Sequence, residues 1–300
     1  MKKFLIFTVT FLTYFIASAQ LTDLIRVEYT YFPQSDSDNS FRRKRALLRA
    51  PIKLNDKGAY LVPGLEFRDV NFRYADNPSP PFDTSNLDDF QSWDLSVGYT
   101  YKMKEDLRFA ARAGALLASN FEGEGIDDRD IRFSGALYLI KDKTDDTTLK
   151  RPYRLIIGLS YNTKAGRPFP LPFVNYYRKF KPKWSYSLGI PKTNLKYFLN
   201  DKNNFQVFAT LDGFWANIQR NRIIPGINGE PDQSASTIGM IVALGGLGYE
   251  RYLTKHIVFY AYAGYTFIND IRLRNDDADD VFTVNDANTF YARGGLKFKI

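Results

Sequence analysis

The sequence predicts an all-β fold, a transmembrane antiparallel β-barrel of about fourteen strands, with twelve as the alternative count. Three observations predict it. The last stretch, Thr289 to Ile300, places Phe290, Ala292, Gly294, Leu296, Phe298 and Ile300 in alternation with Tyr291, Arg293, Gly295, Lys297 and Lys299. Successive side chains of a strand point to opposite faces, so this one has an oily face and a charged face up to its end. Composition agrees: aromatics reach 16%, with 25 Phe and 20 Tyr, while hydrophobic residues total only 44%. A barrel averages an apolar outer set against a polar inner set and keeps aromatics for the membrane interfaces. Finally, connections alternate in length. Short Lys-containing ones (55–58, 103–106, 181–183, 201–204, 254–256) alternate with long acidic or Pro/Gly-rich ones (75–91, 120–130, 220–233, 274–288), the asymmetry of periplasmic turns and outer loops.

The first strand, Leu24 to Phe32, sets Ile25, Val27, Tyr29 and Tyr31 against Arg26, Glu28 and Thr30. Phe41 to Lys53 sets Ala46, Leu48, Ala50 and Ile52 against Arg43, Arg45, Leu47 and Arg49. Asn55-Asp56-Lys57-Gly58 has the composition of a tight hairpin turn. The next strand, Ala59 to Tyr74, turns Glu66 and Arg68 inward, and Pro63-Gly64 reads as a bulge. Ser92 to Lys102, Leu107 to Ala118, Ile131 to Lys141 and Tyr153 to Tyr161 repeat the alternation, with Arg108, Arg112, Arg132 and Arg154 on the polar faces. Phe173 to Phe180, Trp184 to Ile190 and Asn194 to Leu199 are short segments separated by prolines at 168, 170, 172, 182 and 191. Phe205 to Ile218, Ser236 to Tyr249 and Ile257 to Asp270 are long, and the final strand closes the set.

The N-terminus predicts export. Lys2 and Lys3 precede an apolar run from Phe4 to Ile16, and Ala17-Ser18-Ala19 offers small residues for cleavage before Gln20. This is the pattern of a secretory signal peptide over residues 1–19, leaving one barrel over 20–300. With no Cys the chain can carry neither an acylated N-terminus nor a disulfide. No later stretch approaches the roughly 18 apolar residues of a membrane helix.

The oily last strand resembles the C-terminal assembly signal of Gram-negative outer-membrane barrels, carried by Phe290, Leu296, Phe298 and Ile300. The signal peptide, Ala50-Pro51-Ile52-Lys53-Leu54, Pro63-Gly64-Leu65-Glu66, Gly189-Ile190-Pro191 and that strand together resemble an uncharacterised outer-membrane barrel family of Bacteroidetes type, a domain of unknown function. The resemblance implies the outer membrane as location and brings no activity with it. The partners that follow are outer-membrane lipid and lipopolysaccharide, and the barrel-assembly machinery that reads such an ending.

Enzyme chemistry finds few candidates. His256 is the single His and sits in a short turn, no Cys nucleophile exists, and no HExxH or phosphate-cradling Gly-rich loop is present. No cofactor or metal is expected. Arg42-Arg43-Lys44-Arg45 is the densest basic run, yet in a strand it splits between two faces, which argues against a nucleic-acid patch. Arg43 and Arg45 then face the lumen, and Arg42 and Lys44 face out, toward lipopolysaccharide phosphates. The expected lumen set is Arg26, Glu28, Arg43, Arg45, Arg49, Glu66, Arg68, Arg108, Arg112, Arg132, Arg154 and Arg293. It admits two readings: an ion-pair lattice filling a narrow barrel, or a cationic constriction favouring small anionic solutes. Glu28 and Arg293 are expected to pair across the closing seam. The acidic loops, Glu122 to Asp130 and Asp276 to Asp280, lack EF-hand spacing and read as solvated surface, or as an adhesion surface in the alternative.

Overall fold

Alternation of this kind can satisfy its backbone only by pairing strand to strand and closing on itself, and the chain does so. The computed structural model describes residues 23–34, 39–74, 80–123, 125–146, 148–162, 169–226 and 231–299. The segment read as a signal peptide and the terminal Ile300 lie outside these. The strands are β1 (Ile25–Pro33), β2 (Ser40–Arg49), β3 (Ile52–Lys53), β4 (Tyr60–Arg73), β5 (Asp89–Lys104), β6 (Leu107–Ser119), β7 (Ile131–Asp142) and β8 (Tyr153–Asn162). They continue as β9 (Phe169–Lys181), β10 (Trp184–Ile190), β11 (Lys192–Phe198), β12 (Asn203–Ile224), β13 (Gln233–Tyr252), β14 (Ile257–Arg274), β15 (Asp280–Asn285) and β16 (Phe290–Phe298).

Fourteen of them form the closed antiparallel wall. The other two are accessory: β3 prolongs the β2 edge beside β4, and β15 folds back on the upper end of β14. Closure runs through β16, which pairs with β1 on one side and β14 on the other. Ile25 and Ile257 both face Phe298, so the oily faces of three strands meet at the seam. Both described termini share one end of the barrel, here the turn end, with the connections at 54–59, 105–106, 143–152, 182–183, 199–202 and 253–256; the remaining connections, including the one-residue turn at Pro191, lie at the other, the loop end.

Three sequence expectations need correction. Pairing of β4 with β5 runs through Pro63 and Gly64 without a register shift, so no bulge lies there. The missing N–H of Pro63 is absorbed instead where β2 gives way to β3, and the Ala50 N–H donates to the Pro63 carbonyl at 3.1 Å. Second, Pro170 and Pro172 do not break β9; they lie within it, opposite Tyr161 and Leu159 of β8. Proline is tolerated there because this upper part of β9 has no partner on its other edge among the described residues: pairing with β10 stops at Val174. Third, the supposed loops at 220–233 and 274–288 carry strand. β12 runs on to Ile224 past a register shift between Asn217 and Arg222, and β15 occupies Asp280–Asn285.

The wall is not an even cylinder. The β10–β11 hairpin stops at Pro191, while β12 continues from Asp212 to Ile224 with no β11 beside it. That upper half of β12 crosses to the far wall, where Asn217 pairs in parallel with Ser119 of β6. The crossing divides the loop end into two lobes. One is ringed by nine strands: β12, β13, β14, β16, β1, β2, β4, β5 and β6. The other lies behind β7 to β11, whose upper rim is lower.

Candidate functional site

At the loop end of the nine-strand lobe the inward side chains are apolar and fill it. Phe214, 1% exposed, comes from β12 and meets rings from three strands of the opposite wall. Its centroid lies 6.5 Å from Phe41, 6.0 Å from Phe72 and 5.8 Å from Phe90. Ile218, Ile238, Met240, Ile271, Leu273 and Tyr291 extend the same cluster. Contacts between non-adjacent strands mean the side chains span the lumen, so this lobe has a packed core where an open barrel would hold water.

Beneath that core lies an ion-pair lattice. Arg43 grips Asp212 with both terminal nitrogens, at 3.1 and 2.7 Å, and Arg293 donates to the same carboxylate. Arg45 bridges Glu28 at 3.2 Å and Glu66 at 2.9 Å; Arg68 donates to Glu66 at 2.7 Å and to the Gly213 carbonyl at 3.4 Å. Tyr260 donates to Glu28 at 2.6 Å, and Arg26 stands 3.8 Å from it while holding Asp23. Lower still, Glu250 receives Lys196 and Lys297, each at 2.7 Å, and the Tyr262 hydroxyl at 2.8 Å. Nearly every charge here is met by an opposite one, the condition under which buried ions persist.

The expected Glu28–Arg293 contact spans 4.0 Å, with both side chains inward. They do not face each other in register: Glu28 lies opposite Gly295 and Arg293 opposite Thr30. Gly295 is required there, because a Cβ would stand 2.2 Å from the Val27 carbonyl and 2.9 Å from the Tyr260 hydroxyl. The acid that takes Arg293 is Asp212, which sequence reasoning passed over, along with Glu250 and Lys196; Lys297 stands on the charged face of the last strand in that reading but outside its lumen set. Strand parity was the available signal: Asp212 shares a face with Gln206 and Phe208, opposite to Phe205, Val207 and Leu211.

Of the remaining expected lumen residues, Arg132 and Arg154 lie on strands of the second lobe, Arg108 and Arg112 on β6 at its border and Arg49 on β2, and all are differently placed. Arg112 faces inward, donates to Asp94 at 3.0 Å, and still has a side chain 37% exposed, against 3% for Arg43. Arg154 lies 3.8 Å from Asp142 and 5.5 Å above the Tyr177 ring. Arg108 donates to the Gly58 carbonyl at 2.8 Å. Arg132 is exposed although inward, and stacks 4.8 Å above the indole of Trp215. Arg132, Arg49 and Lys192 meet no carboxylate within ion-pair distance among the described residues. Ser134, Tyr138, Phe173, Asn175 and Ser187 line the same lobe and are half-buried. Inward groups with water access are what distinguish this lobe from the packed one.

The loops spend their acids on structure. Asp130 is fully buried and accepts from Asn217 at 2.8 Å and from Gln219 at 2.6 Å, fastening the β12 crossing to the loop before β7. Asp127 caps the short turn at Asp128–Asp130, and the Arg129 backbone N–H and guanidinium hold its carboxyl below the usual range. Glu122 pairs with Arg222, and Asp280 with Arg272 and Arg274. Among the described residues no cluster of three metal-ligating side chains occurs. Of the residues expected to form the assembly signal, Phe290 and Leu296 are exposed on the outer face of β16 and Phe298 is half-buried there. His256 sits at the turn end, its Nδ1 2.9 Å from the Lys299 carbonyl.

Comparison with solved structures finds other barrels at low identity. The NanC porin aligns with a TM-score of 0.41 at 10% identity, covering 92% of this chain and 100% of its own. A mutant of the TodX monoaromatic hydrocarbon channel gives 0.37 at 12%, covering 93% and 91%. The translocator domain of the autotransporter NalP from Neisseria meningitidis gives 0.32 at 12%, covering 94% and 90%. No curated protein matches the chain. Residues 51–299 match the family described as Domain of unknown function (DUF6268), and the chain belongs to that family.

Proposed function

We propose that the protein is a non-enzymatic barrel of the outer membrane of a Gram-negative cell, with a structural lobe and a narrow basic lobe that passes small anionic solutes. The outer face supports the location: Val27, Leu95, Leu137, Leu159, Val207 and Leu247 are exposed around the wall at parities opposite to the charged set. Hydrocarbon covers such a belt at about 25 cal/mol per Å² removed from water. The turn end, with both described termini, is then periplasmic. The signal-peptide reading of residues 1–19 points to the same compartment.

One observation carries the solute class. On β6, β7 and β8, Arg108, Arg112, Arg132 and Arg154 face inward with side chains open to water in part, and Asp94 and Asp142 are the acids that meet them among the described residues. A cationic lining in a confined path raises the local concentration of anions. In a planar bilayer under a KCl gradient, the refolded barrel should give a reversal potential of anionic sign. Arg132→Glu with Arg154→Glu should move it toward cation preference. A parent that conducts nothing, or a variant with unchanged reversal potential, would refute the pore reading. The adhesion alternative draws less support, since the loop acids named above are mostly engaged within the protein.

A further inference from the structure

The unevenness of the wall has a chemical consequence on the second lobe. Above Pro191, the β9 edge from Phe169 to Phe173 has no partner strand among the described residues, and β12 leaves the wall from Asp212 onward. At about 3.3 Å per residue the β9 edge alone is roughly 16 Å long. A strand edge exposing backbone N–H groups to hydrocarbon is costly, and proline removes the donor. Pro170 and Pro172 stand on this edge. The strands therefore leave a lateral window, with Ile190 and Pro191 as its sill, β9 as one side and β12 as the other.

Its height relative to the membrane follows from the register. Pro172 lies opposite Leu159 and Pro170 opposite Tyr161, both exposed on the outer face of β8. Aliphatic below and tyrosine above mark the passage from hydrocarbon to interface. The window thus opens on the outer leaflet, not on bulk water. Behind its upper part stands the Arg132–Trp215 stack. Leu211, Gly213 and Trp215 share one face of β12, so an apolar strip descends from that stack toward Ile190.

We infer that the window admits a single-chain anionic amphiphile, a carboxylate on a long hydrocarbon chain, from the outer leaflet into the basic lobe. The orientation matches that of a leaflet molecule, with the headgroup at the level of Arg132 and the chain below it along Leu211. The Arg132 guanidinium, 4.8 Å from the Trp215 ring centroid and with no ion-pair partner among the described residues, offers a planar fork of N–H donors that suits a carboxylate. Among the described residues Arg132 is the cation that stands over Trp215 at this height, and one cation suits a monoanionic carboxylate better than a phosphorylated lipid headgroup. The inference rests on the basic lobe being the solute path, and it names a substrate class for that path.

The test uses Trp215 as its own reporter. The chain has three tryptophans, so Trp93→Phe with Trp184→Phe leaves Trp215 alone in the full-length barrel reconstituted in phosphatidylcholine vesicles. Titration with 9,10-dibromostearate should quench Trp215 saturably, while its methyl ester and a dibrominated phosphatidic acid should quench weakly and without saturation. Arg132→Gln should raise the half-saturating concentration of the free acid about tenfold, the loss of one charge-assisted contact. A reference retaining only the outward Trp93 reports fold and bilayer quenching. Equal quenching by acid and ester, saturation by phosphatidic acid alone, or an unaltered titration in Arg132→Gln would overturn the proposal. The two readings fail separately. Anion-selective conductance without saturable quenching removes the window and keeps the pore; saturable quenching without conductance removes the pore and keeps the window.

Discussion

Asp212 shows how one carboxylate can organise a lumen. It takes both terminal nitrogens of Arg43 and a third donor from Arg293, on strands far apart in sequence. Asp212→Ala leaves two guanidiniums in a nearly dry lattice without their acid, and breaking a buried pair this way costs about 3–5 kcal/mol. The variant should lose most of its heat-modifiable folded band, or show a clearly lower urea midpoint. Arg132→Gln, at an exposed side chain, should leave that midpoint within about 0.5 kcal/mol of the parent. Equal midpoints for Asp212→Ala and the parent would mean the lattice contributes nothing. The lattice also divides the expected lumen set. Arg43, Arg45, Arg68 and Arg293 belong to the ion-paired filling, while Arg108, Arg112, Arg132 and Arg154 line the accessible lobe. Parity fixes which face a side chain takes and is silent on what stands opposite across the lumen, so this partition was not legible.

Among the elements, β16 is the most transparent from sequence and β12 the least. Alternation in β16 survives to its end, and the structure sets Leu296 beside Val27 and Phe259 on the outer face. A carboxylate there costs on the order of 1–2 kcal/mol, and less at Phe298, nearer the turn end. Leu296→Asp should therefore slow or abolish conversion to the folded band in a refolding time course, with Phe298→Asp milder. Parent-like kinetics for both would mean that this face does not meet lipid. β9 was misjudged for a definable reason: proline counts as a breaker only where a neighbour needs its N–H, and the missing upper part of β10 removed that need. In β12 the signal was present in another form. Phe214, Trp215, Ala216 and Ile218 are apolar at both parities within a few residues, and such a run belongs to a strand covered on both faces. That strand lies inside the barrel.

For the whole molecule, strand number and facing were legible because a membrane barrel repeats a local rule around its circumference. The two-lobed interior was not, because it arises from one strand leaving the wall, a long-range event that local periodicity does not encode. What holds that strand across the lumen is a polar clamp: Asp130, fully buried, accepting from the side chains of Asn217 and Gln219 at 2.8 and 2.6 Å. Asp130→Ala removes the acceptor of the Asn217 and Gln219 side chains and of the Asp127 N–H, each loss worth about 1–3 kcal/mol. The aromatic contacts of Phe214 with Phe41, Phe72 and Phe90 remain, so the barrel should still fold. The crossing should loosen and the basic lobe widen toward the packed one. The expected result in a planar bilayer is a larger and noisier unitary conductance, with anion preference kept because Arg112, Arg132 and Arg154 are untouched. Asp277→Ala, on an exposed stretch of another loop and away from the clamp, serves as the control and should match the parent. A folded Asp130→Ala barrel with parent conductance would show that the crossing does not bound the conducting path. A shift to cation preference would place that path through the lattice around Asp212 instead.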